Sequence, residues 1–352
     1  MVGKDVIRRL RASANSADAD GVVRVGPLMG LPGLVRDLRC DPGPIFASAG
    51  FDPGRFRDPD TEINFIAVSR LLAGCVEATG CGHLGLLLGE RASPSSLGIA
   101  GFMLQAAPDV GTALTDFVRH LDLHDRGAIA TLSIQGRVTY LGYGIYLSGV
   151  EAADQIYDLA MTVACQIMRS LCGSAWNPQE ILLSRRQPQD IEPYRRFFRA
   201  PLRFDAEQSA IAFPTRWLDQ PIASADPLLH QHFEQEANRR QVDQHRGIVY
   251  QLRRLLRRSL AVDQGGVADI ARQLDMHVRT LNRRLRDEGT SFRRELEDIR
   301  YEVSRQLLAE TMMPLSKIGT ALGYADSTAF MRAFKRWSGI PPAEWRRIHG
   351  RS

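Results

Sequence analysis

Apolar residues at Phe292, Leu296, Ile299, Val303 and Leu307 recur at steps of four, three, four and four, the stripe of an amphipathic helix. Thr290 and Ser291 are candidate N-caps for it, and Gly289 is a stop for the helix before it. The same period predicts helices over 64–79, 109–121, 150–171 and 226–241, the third ended by Gly173. Period-two alternation predicts strands over 128–134 and 138–147, joined at Gln135-Gly136-Arg137. Shorter strands are expected at 181–183, around Leu202-Arg203-Phe204 and at Ala210-Ile211-Ala212-Phe213, with a helix near 194–198 and a turn over 214–218. The order predicts an α+β fold for the first two thirds of the chain and an all-α fold for the rest.

The all-α part holds two similar units. Residues 267–274, 275–277 and 278–285 read as a short helix, a tight turn and a second helix, and residues 315–322, 323–326 and 327–334 repeat the plan. Each second helix carries Arg on its polar side. A helix presented this way fits the DNA major groove, where side chains meet base-specific donors and acceptors. The intervening helix, 291–310, is roughly 30 Å long at 1.5 Å per residue. One turn of B-DNA is about 34–36 Å, so that helix suits two reading heads on one face of a duplex. Gly339 ends the last helix of the repeat, and Pro341-Pro342 forbids its continuation.

Charge follows the same division. Residues 245–352 hold 21 Lys and Arg against 12 Asp and Glu, a net +9, whereas residues 1–244 hold 24 against 28, a net −4. A basic excess on the helix-turn-helix part is the footprint of phosphate binding. With 352 residues, 44% of them hydrophobic and 24% charged, the composition is that of an ordinary soluble chain of two or three domains. The five cysteines, Cys40, Cys75, Cys81, Cys165 and Cys172, match neither a zinc spacing nor a disulfide framework. They read as buried thiols of a reducing cytoplasm, with Cys165 and Cys172, seven apart on one helix, as the alternative redox pair. No apolar run reaches membrane-spanning length, and the basic start of the chain has no apolar stretch after it.

Residues 248–347 resemble the DNA-binding domain of AraC/XylS-type transcriptional regulators. The resemblance is carried by Ile270-Ala271, by Arg279-Thr280-Leu281 with Arg283, and by Gly323-Tyr324-Ala325-Asp326 through Phe330, Phe334-Lys335-Arg336, Gly339 and Pro342. Two positions depart from the family pattern. Asp275 stands where the first turn usually has Gly, and His277 where the recognition helix usually has a Ser or Thr cap. The first reading head is therefore expected to be less well ordered. Residues 28–218 are similar to the N-terminal domain called arabinose-binding, an α+β domain rather than a β-rich cupin. The helix after Gly149-Val150-Glu151, the run Tyr194–Phe198, and Leu202-Arg203-Phe204 leading to Ala212-Phe213-Pro214 carry that likeness, which implies effector sensing and dimerisation.

The expected organisation is a flexible leader (1–27), an α+β effector-binding and dimerisation domain (28–218), a linker helix (219–244) and a double helix-turn-helix domain (245–352). Arg279, Asn282 and Arg283 on the first recognition helix, and Ser327, Thr328, Met331 and Arg332 on the second, form the outward sets expected at base edges, Arg suiting guanine and Asn adenine. Arg300, Lys317, Lys335 and Arg336 are expected at phosphates. No catalytic constellation, metal set or cofactor motif stands out, and His83, His120 and His124 lack companion ligands. The effector pocket is expected between the 128–147 strands and the 150–171 helix. Arg119, His124, Tyr140 and Tyr146 are its candidate residues, with plain sheet packing the alternative for the two tyrosines. The chain thus reads as a cytoplasmic, homodimeric, effector-controlled regulator of promoter DNA working with RNA polymerase. A ligand-independent activator is one alternative. A DNA-repair protein is another, but it would need a reactive-Cys or Cys₄ motif.

Overall fold

The computed structural model describes residues 21–350 apart from 148, 174, 244–246, 262–265 and 312. The chain divides into two compact units, the first ending at Ala237 and the second formed mainly by residues from Asn238 onward.

The first unit contains helices α1 (Leu31–Asp37), α2 (Pro42–Ser48), α3 (Phe65–Thr79), α4 (Leu84–Glu90), α5 (Ile99–Ala106), α6 (Val110–His120), α7 (Ala153–Cys172) and α8 (Glu192–Phe198), and most of α9 (Pro227–Asp243). Strands β1 (Val22–Arg24) and β2 (Glu62–Asn64) form an antiparallel pair. Strands β3 (Ala128–Gln135), β4 (Val138–Ile145), β5 (Glu180–Leu182), β6 (Leu202–Arg203) and β7 (Ser209–Pro214) form one sheet in the order β3-β4-β7-β5-β6, antiparallel except between β5 and β6. The α+β reading therefore holds. The β3–β4 hairpin turns at Gly136, which takes the left-handed conformation (φ 62°) that a two-residue hairpin turn needs. Central strand β7 is buried from Ser209 to Phe213, and α7 packs on β4 and β7.

Polar caps explain where the long helices begin. Asn64 accepts from the Ala67 amide (2.9 Å) and Asp109 from the Thr112 amide (2.7 Å), each satisfying one orphan donor of a first turn. The helix expected from residue 150 starts at Ala153. The leader expected over 1–27 lies, for its first twenty residues, outside the described residues. Its last part is built into the domain, because Val22–Arg24 pair with β2 and Val25 is fully buried.

The second unit begins with α10 (Ile248–Ala261), followed by α11 (Val267–Gln273), α12 (Val278–Asp287), α13 (Phe292–Glu310), α14 (Leu315–Ala321), α15 (Ser327–Ser338) and α16 (Pro342–His349). Two apolar clusters form around α13. Leu252, Leu256, Ile270, Leu281, Leu285 and Ile299 make the first, and Leu308, Ile318, Leu322, Phe330 and Phe334 the second. Gly339 ends α15 (φ 83°), and Pro342 then starts a further helix at its first position, where a missing N–H costs nothing.

Candidate nucleic-acid interface and sensor cavity

The two helix-turn-helix units are built alike from unlike residues. After α11 the chain turns at Asp275 in the left-handed region (φ 52°), and after α14 it turns at Gly323 (φ 71°). Met276 N then donates to Ala271 O, and Tyr324 N to Gly319 O, both at 2.9 Å. Asp thus adopts the conformation that Gly adopts in the second unit, at the modest cost a short polar side chain allows. The cap also differs. His277 accepts the Arg279 amide proton on Nδ1 at 3.2 Å, where Asp326 accepts that of Ala329 at 2.7 Å. The first recognition helix is therefore capped, through an imidazole nitrogen.

On α12, Leu281 and Leu285 are buried, Arg279 and Arg283 are exposed, and Asn282 is half-buried. On α15, Phe330 and Phe334 are buried, Thr328, Met331 and Arg332 are exposed, and Ser327 is half-buried. Lys317 and Lys335 are exposed, as is Arg336, which pairs with Glu297 at 3.5 Å. Arg300 differs from the other three residues expected at phosphates. It is half-buried, donates to Gly323 O (3.2 Å) and stacks on the Tyr324 ring (4.7 Å), so it braces the second turn from α13. Sequence reasoning missed α10 and its ties to α13. Arg253 donates to the buried Glu295 (2.6 Å) and Arg257 to Glu302 (2.9 Å).

The first unit holds a cavity of about 90 Å³ between α3, α6, α7 and the β3–β4 strands. Phe65, Leu72, Ile156, Met161, Ala164 and Ile167 are among the side chains of its largely apolar wall. At one end stand Arg24, His124, Asp125 and Tyr143. Arg24 N donates to His124 O at 2.9 Å, so β1 carries Arg24 alongside the 121–125 turn. Tyr143 Oη donates to Asp125 Oδ2 (2.5 Å), and Gly127 N to Asp125 Oδ1 (2.7 Å). Burial pushes the Asp125 carboxyl up to about 6 against these hydrogen bonds. Burial, aided by the Arg24 charge, pushes His124 down to about 3, leaving a neutral imidazole. Burial, then the neighbouring Asp125, raises Tyr143 well above the usual phenol range. Two polar atoms at this end are buried without a partner among the described residues: Arg24 Nε and His124 Nδ1.

Of the four residues expected at an effector pocket, His124 lines this cavity. Arg119 is exposed on α6 and faces Glu234 of α9 at 3.9 Å. Tyr140 lies on β4 one residue out of phase with buried Thr139 and Leu141, and Tyr146 is buried with its hydroxyl donating to Arg126 O. Tyr143, Arg24 and Asp125 were not read from the sequence.

Burial raises the Cys75 and Cys172 thiols to about 12 and that of Cys165 to about 11, so none is a ready thiolate. Cys165 and Cys172 lie seven residues apart on α7, roughly 10 Å at 1.5 Å per residue, beyond disulfide reach. Among the described residues no His, Cys, Asp and Glu side chains gather in threes as a metal set, and no single helix is long and apolar enough to cross a membrane.

Known proteins agree with both halves. The chain is 27% identical over 332 residues to the HTH-type transcriptional regulator VirS of Mycobacterium tuberculosis, covering 94% of this chain and 97% of that one. It is 26% identical over 319 residues to the ornithine utilization regulator of Pseudomonas aeruginosa, covering 89% and 93%. Among solved structures it is similar to the transcriptional regulator CdpR from Pseudomonas aeruginosa, with a TM-score of 0.38, 25% identity, and 75% and 86% of the two chains covered. A helix-turn-helix domain model matches residues 270–348. The model of the arabinose-binding domain of AraC transcription regulator, N-terminal, matches residues 40–222, more than half the chain. Two capped recognition helices behind an α+β domain of that type identify the chain as a DNA-binding transcriptional regulator that belongs to the AraC family.

Proposed function

We propose that this regulator is controlled by a small molecule bound in the cavity of its first unit. The observation that carries the reading is the cavity itself, apolar along its length and closed at one end by buried polar atoms that lack partners. A contact path supports it. Phe117, Leu121 and His124 line the cavity, while Asp116 of the same helix meets His230 of α9. Leu123 packs in a cluster with Ala237 and Phe233 of α9. The chain leaves the first unit along α9, so a ligand that moves the 117–124 segment also biases α9. The size of that bias is limited by the ligand's differential affinity for the two states.

At the DNA, Arg279, Asn282 and Arg283, with Ser327, Thr328, Met331 and Arg332, meet base edges. Lys317, Lys335 and Arg336 meet phosphates. The reading includes a homodimer at promoter DNA in the cytoplasm, with RNA polymerase as a partner, as the family likeness implies. Its test uses the full chain. Metabolites that raise its unfolding midpoint are assayed for their effect on occupancy of a DNA site selected from random sequence. A compound that binds the first unit and changes occupancy supports control. Compounds that bind it and leave occupancy unchanged favour a ligand-independent activator.

A further inference from the structure

The polar end of the cavity limits what can lie there. Arg24 spends one terminal nitrogen on Asp60, its side chain is only 12% exposed, and its Nε–H is left without an acceptor. His124 Nδ1 is likewise unmet, in a residue 7% exposed. Asp125, 4% exposed, already accepts from Tyr143 and Gly127 on its two oxygens. Unmet buried donors and acceptors cost folding free energy, so a group that completes them recovers that cost on binding.

The charge balance narrows the choice. Arg24 is matched by Asp60, and Arg126 by Glu62. A ligand carboxylate would be buried beside Asp125 without a spare counter-charge, and a ligand ammonium would lie beside Arg24 and find both Asp125 oxygens already taken by Tyr143 and Gly127. An uncharged oxygen avoids both conflicts. It accepts from Arg24 Nε–H, and a hydroxyl also donates to His124 Nδ1. The rest of the wall, from Phe65 to Ile167, is hydrocarbon. We infer that the ligand is an uncharged amphipathic molecule, an aliphatic or alicyclic body with a neutral carbonyl or hydroxyl head held by Arg24, the hydroxyl by His124 as well. This rests on the reading of the first unit as a sensor and names the chemistry it senses.

The test is direct binding to the full chain by calorimetry near neutral pH, with 1-octanol, 2-octanone, octanoate and octylamine as probes of one body and four heads. The alcohol and the ketone are expected to bind at least about tenfold more tightly than either charged probe. His124→Leu should weaken the alcohol about tenfold and leave the ketone, which only accepts from Arg24, nearly unchanged, while keeping or raising the unfolding midpoint, because it removes an unmet polar atom from an apolar site. A merely structural histidine would show the reverse stability change. Ala164→Leu, which fills the cavity from α7, should abolish binding of all four. Tighter binding of octanoate, undiminished affinity for the alcohol in a folded His124→Leu variant, or no binding by any probe would overturn the assignment. Probes that bind in the expected order yet leave DNA occupancy unchanged would uphold the ligand class and defeat the sensor reading alone.

Discussion

His230 Nε2 lies 2.9 Å from Asp116 Oδ2, and this contact fastens α9 to the helix whose next residue, Phe117, forms part of the cavity wall. Both side chains are largely buried, at 14% and 9% exposure. His230→Ala leaves a buried carboxylate without that partner and should lower stability by about 1–3 kcal/mol in denaturant titrations. Asp116→Ala adds little on top, because the two share one interaction. If the double variant instead loses the sum of the two single losses, the contact carries no coupling.

His124 and Asp125 predict an unusual pH response. An unfolded imidazole protonates near 6.5, but the folded His124 resists until about 3. Its contribution is thus complete above pH 6.5 and lost as pH falls toward 3. Asp125 runs the other way. Its folded pKa of about 6 lies above the ordinary 3.8, so its contribution is complete below 3.8 and lost as pH rises through 6. Between these limits the two slopes oppose each other. His124→Leu should therefore gain on the wild type by roughly 1 kcal/mol for each pH unit below 6.5. Unfolding midpoints in acid and at neutrality check this, and a difference that does not vary with pH would refute a buried neutral imidazole.

Arg283 is exposed on α12 one turn from Arg279. Arg283→Ala should weaken binding to a selected site by about 1–3 kcal/mol and relax the preference at one base pair. Gel-shift titrations on selected and random DNA distinguish the roles. Equal loss on both would move Arg283 to the phosphates.

Arg300 should behave unlike the exposed cations. Since it braces Gly323 and Tyr324, Arg300→Ala should lower the stability by about 1–2 kcal/mol, with a salt dependence of DNA binding close to that of the wild type. Unchanged stability with a shallower salt slope would return it to phosphate contact.

His277 caps α12, so the gain expected from a serine there shrinks. His277→Ser should lie within about 0.5 kcal/mol of the wild type, whereas His277→Ala should lose about 0.5–2 kcal/mol. Serine stabilising by a full kcal/mol would mean that the 3.2 Å imidazole contact contributes little.

The elements legible in the sequence were those with a polar face and a marked end. Asn64, Asp109, Ser291 and Asp326 all cap the helices that follow them, and Gly173, Gly289 and Gly339 all take positive φ where a helix was expected to stop. Helices α1, α2, α4 and α5 went unseen. They are seven or eight residues long, and α4 and α5 are buried nearly all round, which leaves no periodic contrast. Two glycines in α4 serve close packing: a Cβ at Gly85 would lie 2.0 Å from Gln155 O, and one at Gly89 would lie 2.6 Å from Thr162 Cβ. The outward-facing residues of α12 and α15 were legible because local helix phase decides which side chains face out. The polar end of the cavity was not, because residues 24, 124, 125 and 143 meet only through the pairing of β1 with the 121–125 turn and the fold of β4. Tyr143 was passed over because strand alternation separates it from Tyr140 and Tyr146, and the buried face of β4 turned out to be the odd-numbered one.

Helix α13 runs unbroken through Phe292–Glu310, with the two apolar clusters gathered about it. It therefore acts as a gear between the reading heads as well as a spacer. Inserting one residue in it would advance the second head by about 1.5 Å and also swing it about 100° around the axis. A swing of that size turns the outward face of α15 away from the side on which α12 presents its own. Only changes near whole helical turns, three or four residues or seven, keep the heads in phase. Insertions in α13 thus change the distance and the angle between the two heads together, in steps set by the helix and not by a flexible linker.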